Sequence, residues 1–557
     1  MNSGSARRDF IKWSGAGLAA ATVGAFSAEA QPNPQAAPAN QYLFDVRTYG
    51  AKGDGKSIDS PAINAAIAAA TGVGGGTVVF PAGVYASYSI RMASKIHLLL
   101  TQGATILAAP SPERGAYSAT GYYDQPEPNP EGKDYQDFGH CHWHNSLIWG
   151  DGLNDISITG PGLIWGKGLT RGQRAEQLGV GNKSIALKNC RNVILRDFSI
   201  LEGGHFGLLL TGVDNLTIDN LKIDTNRDGM DIDCCRNVRV SNCTVNSPWD
   251  DGICPKSSYA LGYNRSTDNV TITNCFVTGI YELGTVLDGS FKKFPPDAPH
   301  VFRTGRIKCG TESNGGFRNI TISNCVFEGC QGLALESVDG ALIEDISITN
   351  ITMRDVITSP IFLRLGARLR GPAGTKVGTL RRVLINNLVS YNTAEKITGI
   401  VVGRPEEHIM TPWTTPYQIS SVIHGLPGYQ IEDIKLSNIF VQNEGGAPSE
   451  AAKIQPPERE TFYPEPTMFG PTPAHGFYIR HAKNVELTNV EVSTVKPDAR
   501  PTIVLDDVQR ADFINLEAPY VKGQSTYIFR DVTEARILQS RNLADMHLRE
   551  HITEKEI

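Results

Sequence analysis

The chain has 557 residues, a formal net charge of -6 and 40% hydrophobic residues. A chain this long can bury a large core, and its small, dispersed acidity excludes nucleic-acid binding driven by bulk basicity. The same numbers leave the sign of any local cleft open.

Residues 1–30 have the layout of an export signal. Arg7 and Arg8 form a twin-arginine pair, a short Gly/Ala-rich apolar stretch runs from Ser14 to Phe26, and Ala28-Glu29-Ala30 has the form of a cleavage site. The expectation is a removable signal over 1–30, a Pro/Ala/Asn/Gln spacer over 31–41 and one domain over 42–545. The twin-arginine machinery would deliver that domain to a bacterial periplasm or beyond the cell. No later run is long enough to span a bilayer, so no membrane contact is expected of the mature form. After the spacer, FDVRTYGAKGDG, a helical SPAINAAIAAA from Ser60 and GGGTVVFPAGVY form an N-terminal cap.

Beyond the cap one phrase recurs. Asn, alternating apolar residues, then Asn or Asp appears as NVILRDFSI from Asn192, NLTIDNLKI from Asn215, NVRVSNCTV from Asn237, NVTITNCFV from Asn269 and NITISNCVF from Asn319. Looser copies start at Asp155, Asp345, Arg381, Ile431, Asn484 and Arg510. Alternation with β-branched residues makes each copy a strand, and Asn, Asp and Gly break the strands into turns. The first three strict copies are 23 and 22 residues apart, enough for three short strands and three turns. The fold expected is all-β: a single-domain right-handed parallel β-helix whose coils stack roughly 4.8 Å apart. Two long Pro/Gly-rich stretches, 278–318 and 401–480, interrupt the rhythm and are expected to wall a groove with aromatics such as Tyr281, Phe291, Trp413, Tyr417 and Tyr463. The ten cysteines all lie between Cys141 and Cys330. Their recurrence in the phrase, as in Ser-Asn-Cys243 and Thr-Asn-Cys275, assigns them mainly to stacked structural positions, although an oxidising compartment would permit disulfides.

Residues 225–258 hold the densest chemistry. Asp250 and Asp251 follow Asp228 by 22 and 23 residues, one coil, so the three carboxylates fall on neighbouring rungs at the same turn. In Met230-Asp231-Ile232-Asp233 the apolar residues point inward and the aspartates outward, which extends the acidic patch. Crowded carboxylates push one another's pKa values apart. Glycoside hydrolysis needs that split: one protonated carboxyl for the leaving oxygen and one ionised carboxylate to activate water.

Asn226-x-Asp228-Gly229-x-Asp231, then Asp250-Asp251 with Lys256 five residues on, resembles the signature of the polygalacturonase family of pectin hydrolases (glycoside hydrolase family 28). The YGAKGDG cap and the Asn-Cys ladder are similar as well, so the resemblance spans roughly residues 43–395. It implies that Asp250 is the general acid and that Asp228 with Asp251 holds and deprotonates the water. It further implies inversion of configuration, with Asn226, Asp231 and Lys256 near the substrate and neither metal nor cofactor. The family's later G-H-G and R-I-K motifs are missing: Gly305 stands at the His position, and GLALES around Glu336 lacks both cations. Arg306-Ile307-Lys308 imitates the second motif by its letters but sits one coil too early; either cation could still reach the cleft. The losses favour a family relative over plain polygalacturonate hydrolysis: a rhamnogalacturonan hydrolase, an exo-acting galacturonidase or a rhamnosidase.

Further substrate contacts are expected from Arg364, at the end of an apolar strand, and from His205, 23 residues before Asp228 and so one rung earlier. Alternation in GHCHWHNSLIWG sends His140, His142 and His144 to one face, better suited to sugar contacts than to zinc. The sequence thus reads as a monomeric, polygalacturonase-like inverting hydrolase of pectic polysaccharides or oligosaccharides, exo-acting on galacturonan or rhamnogalacturonan fragments if the long loops close one end of the groove. An α-L-rhamnosidase of the same family, a polysaccharide lyase and a non-catalytic glycan-binding β-helix are the alternatives. A lyase would need Ca²⁺ and a Lys or Arg base.

Overall fold

The computed structural model describes residues 42–112, 121–172, 176–298, 301–392 and 419–557. The expected export signal and spacer, with Trp413 and Tyr417, lie outside them.

The recurring phrase builds its turns through asparagine. Asn192, Asn215, Asn237, Asn269 and Asn319 all have φ between 52° and 58°, and Asn324, Asn350, Asn387, Asn438 and Asn489 form a second column at 53° to 55°. This left-handed region penalises most side chains, and Asn tolerates it better than they do. The amides then join rung to rung: Asn387 Nδ2 donates to Asn350 Oδ1 at 3.1 Å and Asn438 Nδ2 to Asn387 Oδ1 at 3.2 Å. Asn387→Ala would break both bonds and place a Cβ residue in the left-handed region, whereas Asn387→Gly would lose only the bonds. We expect urea midpoints to show Ala the more destabilising by about 1 kcal/mol; equal losses would contradict this account of the phrase.

Between these turns the chain coils as a parallel β-helix. One face concerns the site. It comprises β1 (Ile90–Arg91), β2 (Ser146–Asp151), β3 (Lys183–Lys188), β4 (Phe206–Thr211), β5 (Asp228–Asp233) and β6 (Ile253–Lys256), which pair in parallel as one six-stranded sheet. An Ile253–Ile307 bridge carries the face onward to β7 (Lys308–Cys309). It continues through β8 (Leu333–Ser337), β9 (Ile361–Leu365), β10 (Ser421–His424), β11 (Phe477–Lys496), β12 (Ile503–Glu517) and β13 (Tyr527–Leu538). Inward residues stack in register: Leu208 on Met230 on Ile253, and Leu210 on Ile232, all fully buried. Such stacks supply most of the stability, at about 25 cal/mol per Å² of apolar surface removed from water.

Both ends are closed. At the start, α1 (Ser60–Gly72), with proline at its first turn, buries Ile63, Ala66, Ile67 and Ala70 over the first coil. At the other end β14 (Met546–Glu556) pairs antiparallel with β13, so strand structure continues past residue 545. All ten cysteines are free and buried, and Cys190, Cys243, Cys275 and Cys325 lie in the main core. No disulfide forms.

The outer side of the face is largely covered. Cys141 and Trp143 pack on Ala186, Phe206 and Leu209. Further along, Met468, Phe469 and Ala474 lie on Ala334, Phe362, Val422, Tyr478, Val504 and Ile528. Among the described residues, no helix is long and apolar enough to cross a membrane.

Candidate active site

Asp228 opens β5, and Asp250-Asp251 occupies the turn before β6. The β5–β6 register places Asp228 beside Asp251, and the Gly229 amide donates to the Asp251 carbonyl at 2.9 Å. The glycine after Asp228 has a steric reason. A Cβ on Gly229 would lie 2.4 Å from the Gly252 carbonyl oxygen, so only glycine lets the rungs close here. One carboxylate oxygen of each of Asp228, Asp250 and Asp251 lies within 4.8 Å of the others. That spacing would suit a divalent cation, but here side-chain cations supply the positive charge.

Arg306 Nε approaches Asp251 Oδ1 at 2.9 Å, and Lys308 Nζ approaches Oδ2 at 2.5 Å. Arg227 Nε binds Asp250 Oδ2 at 3.0 Å and stands 4.0 Å from Asp228. Asp250 is 27% exposed, against 3% for Asp228 and 1% for Asp251. Burial pushes the Asp228 carboxyl well above the usual range; Asp250 and Asp231 add to this, and Arg227 and Lys256 oppose it. Burial would raise Asp251 too, but Lys308, Arg306 and Lys256 hold it down to about 2. Two neighbouring carboxyls thus differ in protonation.

Around this centre, Lys256 binds Glu312 at 2.9 Å and stands 3.8 Å from the buried Asp231, which His140 approaches at 3.3 Å. Asn226 accepts from Arg171 through its carbonyl at 2.8 Å, and its buried Oδ1 has no hydrogen-bond partner. Asp233 leaves the expected acidic patch: Ser258 binds it through both its amide and its hydroxyl, a structural clamp.

Several expectations change. Arg306-Ile307-Lys308 is more than a coincidence of letters, because both cations converge on Asp251. His205 stands one residue out of the expected register: Phe206 pairs with Asp228, and His205 lies against Arg227. Burial and Arg227 push its pKa well below the ordinary value, so the ring is neutral. Arg364 does not join the aspartates. Its guanidinium is buried on His424 Nδ1 at 2.6 Å, the Gly425 carbonyl at 3.0 Å and the Glu458 carbonyl at 2.8 Å. The three histidines do not share one face, because Phe138–His140 is a 3₁₀ turn rather than a strand. His140 meets Asp231, His142 stacks on Phe138 and His144 lies on Trp149 beside Glu127.

Arg227 and Glu465 are residues that sequence reasoning missed as site groups, and Tyr463, expected only as a groove-wall aromatic, lies beside them. Arg227 occupies the unspecified position of the Asn-x-Asp-Gly motif. Glu465 Oε1 binds Arg306 at 2.5 Å, and Tyr463 accepts a hydrogen bond from Thr311 at 3.0 Å with its ring facing Lys308. Nothing in the sequence pairs those two with Asp251. A cavity of about 300 Å³ opens beside Arg227, lined also by Phe138, Arg171, Glu176 and His205.

Comparison with known proteins agrees with this architecture. Residues 43–123 match the family described as rhamnogalacturonase A/epimerase, pectate lyase-like, and residues 136–277 match the right-handed β-helix region. A Vitis vinifera protein named "Probable polygalacturonase" is 23% identical over 340 residues, 55% of this chain and 60% of that one. The chain therefore spans less than two thirds of that relative. Among solved structures, the exopolygalacturonase of Thermotoga maritima superposes with a TM-score of 0.53 at 16% identity, covering 94% of this chain and 96% of that one. The family 28 exopolygalacturonase of Yersinia enterocolitica gives 0.56 at 16% identity, covering 87% and 80%. The fold is thus a right-handed parallel β-helix with pectate-lyase-like regions, and it has structural neighbours among the polygalacturonases.

Proposed function

We propose that this protein hydrolyses glycosidic bonds of pectic-type glycans. The observation that carries the reading is the carboxylate trio on neighbouring rungs, in which burial pushes Asp228 up and cations hold Asp251 ionised. By the resemblance to the family signature, Asp250, the member of the trio that solvent reaches, is the proton donor to the leaving oxygen as the bond from the anomeric carbon breaks. Asp251, held ionised, takes a proton from the attacking water, and Asp228 orients that water. The new hydroxyl forms on the face opposite the leaving group, so configuration inverts. The similarity to polygalacturonases supports the substrate class. The twin-arginine layout of residues 1–30 supports action in the periplasm or outside the cell.

Attack from a chain end fits the cover over β8–β13. There Met468, Phe469 and Ala474 bury the outer face that an endo-acting groove would leave open. Incubation with pectic oligosaccharides, followed by size separation and NMR of the first-formed anomer, tests these points. Monomers or dimers with inverted configuration are expected. A ladder of intermediate oligomers would sink the exo assignment, and no release from any pectic substrate would sink the class.

A further inference from the structure

We infer that the sugar whose glycosidic bond is cleaved is neutral, because the cations around Asp250 and Asp251 are already paired with carboxylates of the protein itself. This rests on the hydrolase reading above and names the substrate class of that same site.

Arg227 is taken by Asp250, and Lys308 by Asp251. Arg306 binds Asp251 and Glu465, with Glu336 at 3.8 Å, and its side chain is fully buried. Lys256 binds Glu312, and Arg368 binds Asp339 at 2.5 Å with Glu312 at 3.8 Å. A uronate here would bring its charge among cations that each already hold at least one carboxylate, and displacing a buried partner would leave an uncompensated charge, a cost of several kcal/mol. Two rungs before Asp228, Lys183 is buried on the side-chain oxygens of Asn182 at 2.6 Å and Asn145 at 3.4 Å, and a second cation with a neutral oxygen partner is Arg171. It sits on the rim, on the Asn226 carbonyl and against Trp249, and the cavity it lines also holds Asp137 and Glu176.

A second observation points the same way. Asp228 Oδ1, both oxygens of Asp231, Glu336 Oε1 and Glu465 Oε2 are buried acceptors without a hydrogen-bond partner among the described residues, although His140 and Lys256 stand 3.3 and 3.8 Å from Asp231 and Arg306 3.8 Å from Glu336. Unsatisfied carboxylate oxygens call for donors. Sugar hydroxyls supply donors; a uronate carboxylate supplies only further acceptors and negative charge. Arg306 Nη1 and Arg368 Nη1, buried donors of these same cations that also lack a partner among the described residues, suit the oxygen of such a hydroxyl.

The test is to offer the full-length protein three substrates and identify the sugar at each newly formed reducing end: polygalacturonate, its carboxyl-reduced counterpart with the same linkage, and rhamnogalacturonan oligosaccharides. New reducing ends are expected to be neutral, with kcat/KM on polygalacturonate at least tenfold below the better of the other two. Galacturonate ends formed at an equal or greater rate would overturn the inference while leaving the hydrolase reading intact. No cleavage of any of the three would instead remove the hydrolase reading on which it rests. Glu465→Gln, which strips one carboxylate from Arg306, is expected to raise the ratio of uronate to neutral release at least threefold. An unchanged ratio would overturn the charge-pairing explanation.

Discussion

Asp250→Asn is expected to lower kcat on a pectic substrate by about 10²–10⁴-fold, the contribution typical of one positioned proton donor. The amide keeps the shape of the carboxyl, and its oxygen can still accept from Arg227, so folding should be nearly unchanged. What disappears is a proton that can be given away. The loss should therefore shrink for an aryl glycoside, whose phenolate leaves without help, and remain large for a sugar leaving group. Asp251→Asn should behave differently, failing on both substrates because water activation is needed in either case. Kinetics on the two substrates, with a denaturation curve for each variant, separate these outcomes. Full activity in Asp250→Asn would dismiss it as the acid and favour a glycan-binding role for the whole face.

Arg306→Met is expected to cost stability more than any surface change, about 3–5 kcal/mol, as when one partner of a buried ion pair is removed. The guanidinium is fully buried between Asp251 and Glu465, and both carboxylates would be left in a site almost without water. Denaturant midpoints measure the loss. The double variant Arg306→Met/Glu465→Gln should recover part of it, because one of the stranded charges is then neutral. The pH dependence has a definite sign. Asp251 is depressed to about 2, below its unfolded value, so its contribution is present above the unfolded pKa and is lost as pH falls through about 2. In Arg306→Met the Asp251 pKa rises, that loss begins at higher pH, and the acidic limb of kcat/KM moves up with it. A variant as stable as the parent at neutral pH would contradict the pairing described.

The fold was legible because its instructions are local and repeated. Asn215 and Asn237 announce left-handed turns one coil apart, and Met230 and Ile232 announce which side faces inward. The same period places Asp228 beside Asp251. Legibility failed where the period drifts by one residue, as with His205 and Phe206, and where a turn replaces a strand, as at His140. It failed most where contacts come from covering segments: Glu465 reaches Arg306 across a stretch with no repeat, so no spacing rule could pair them. Arg364 shows the converse, since a strand-end cation is drawn to whatever acceptors the covering segment brings, here the carbonyls of Gly425 and Glu458.

The reversed final strand has a meaning for life in a crowded solution. Each rung of a parallel coil presents the same hydrogen-bonding edge that the next rung uses, so an uncovered last rung would be a template for another molecule. β14 runs the opposite way over β13, and its outer edge carries Arg549, Glu550, Glu554 and Lys555. A second molecule arriving there meets the wrong strand direction and a row of charges. The geometry that lets the coil extend indefinitely is thereby prevented from building a fibre.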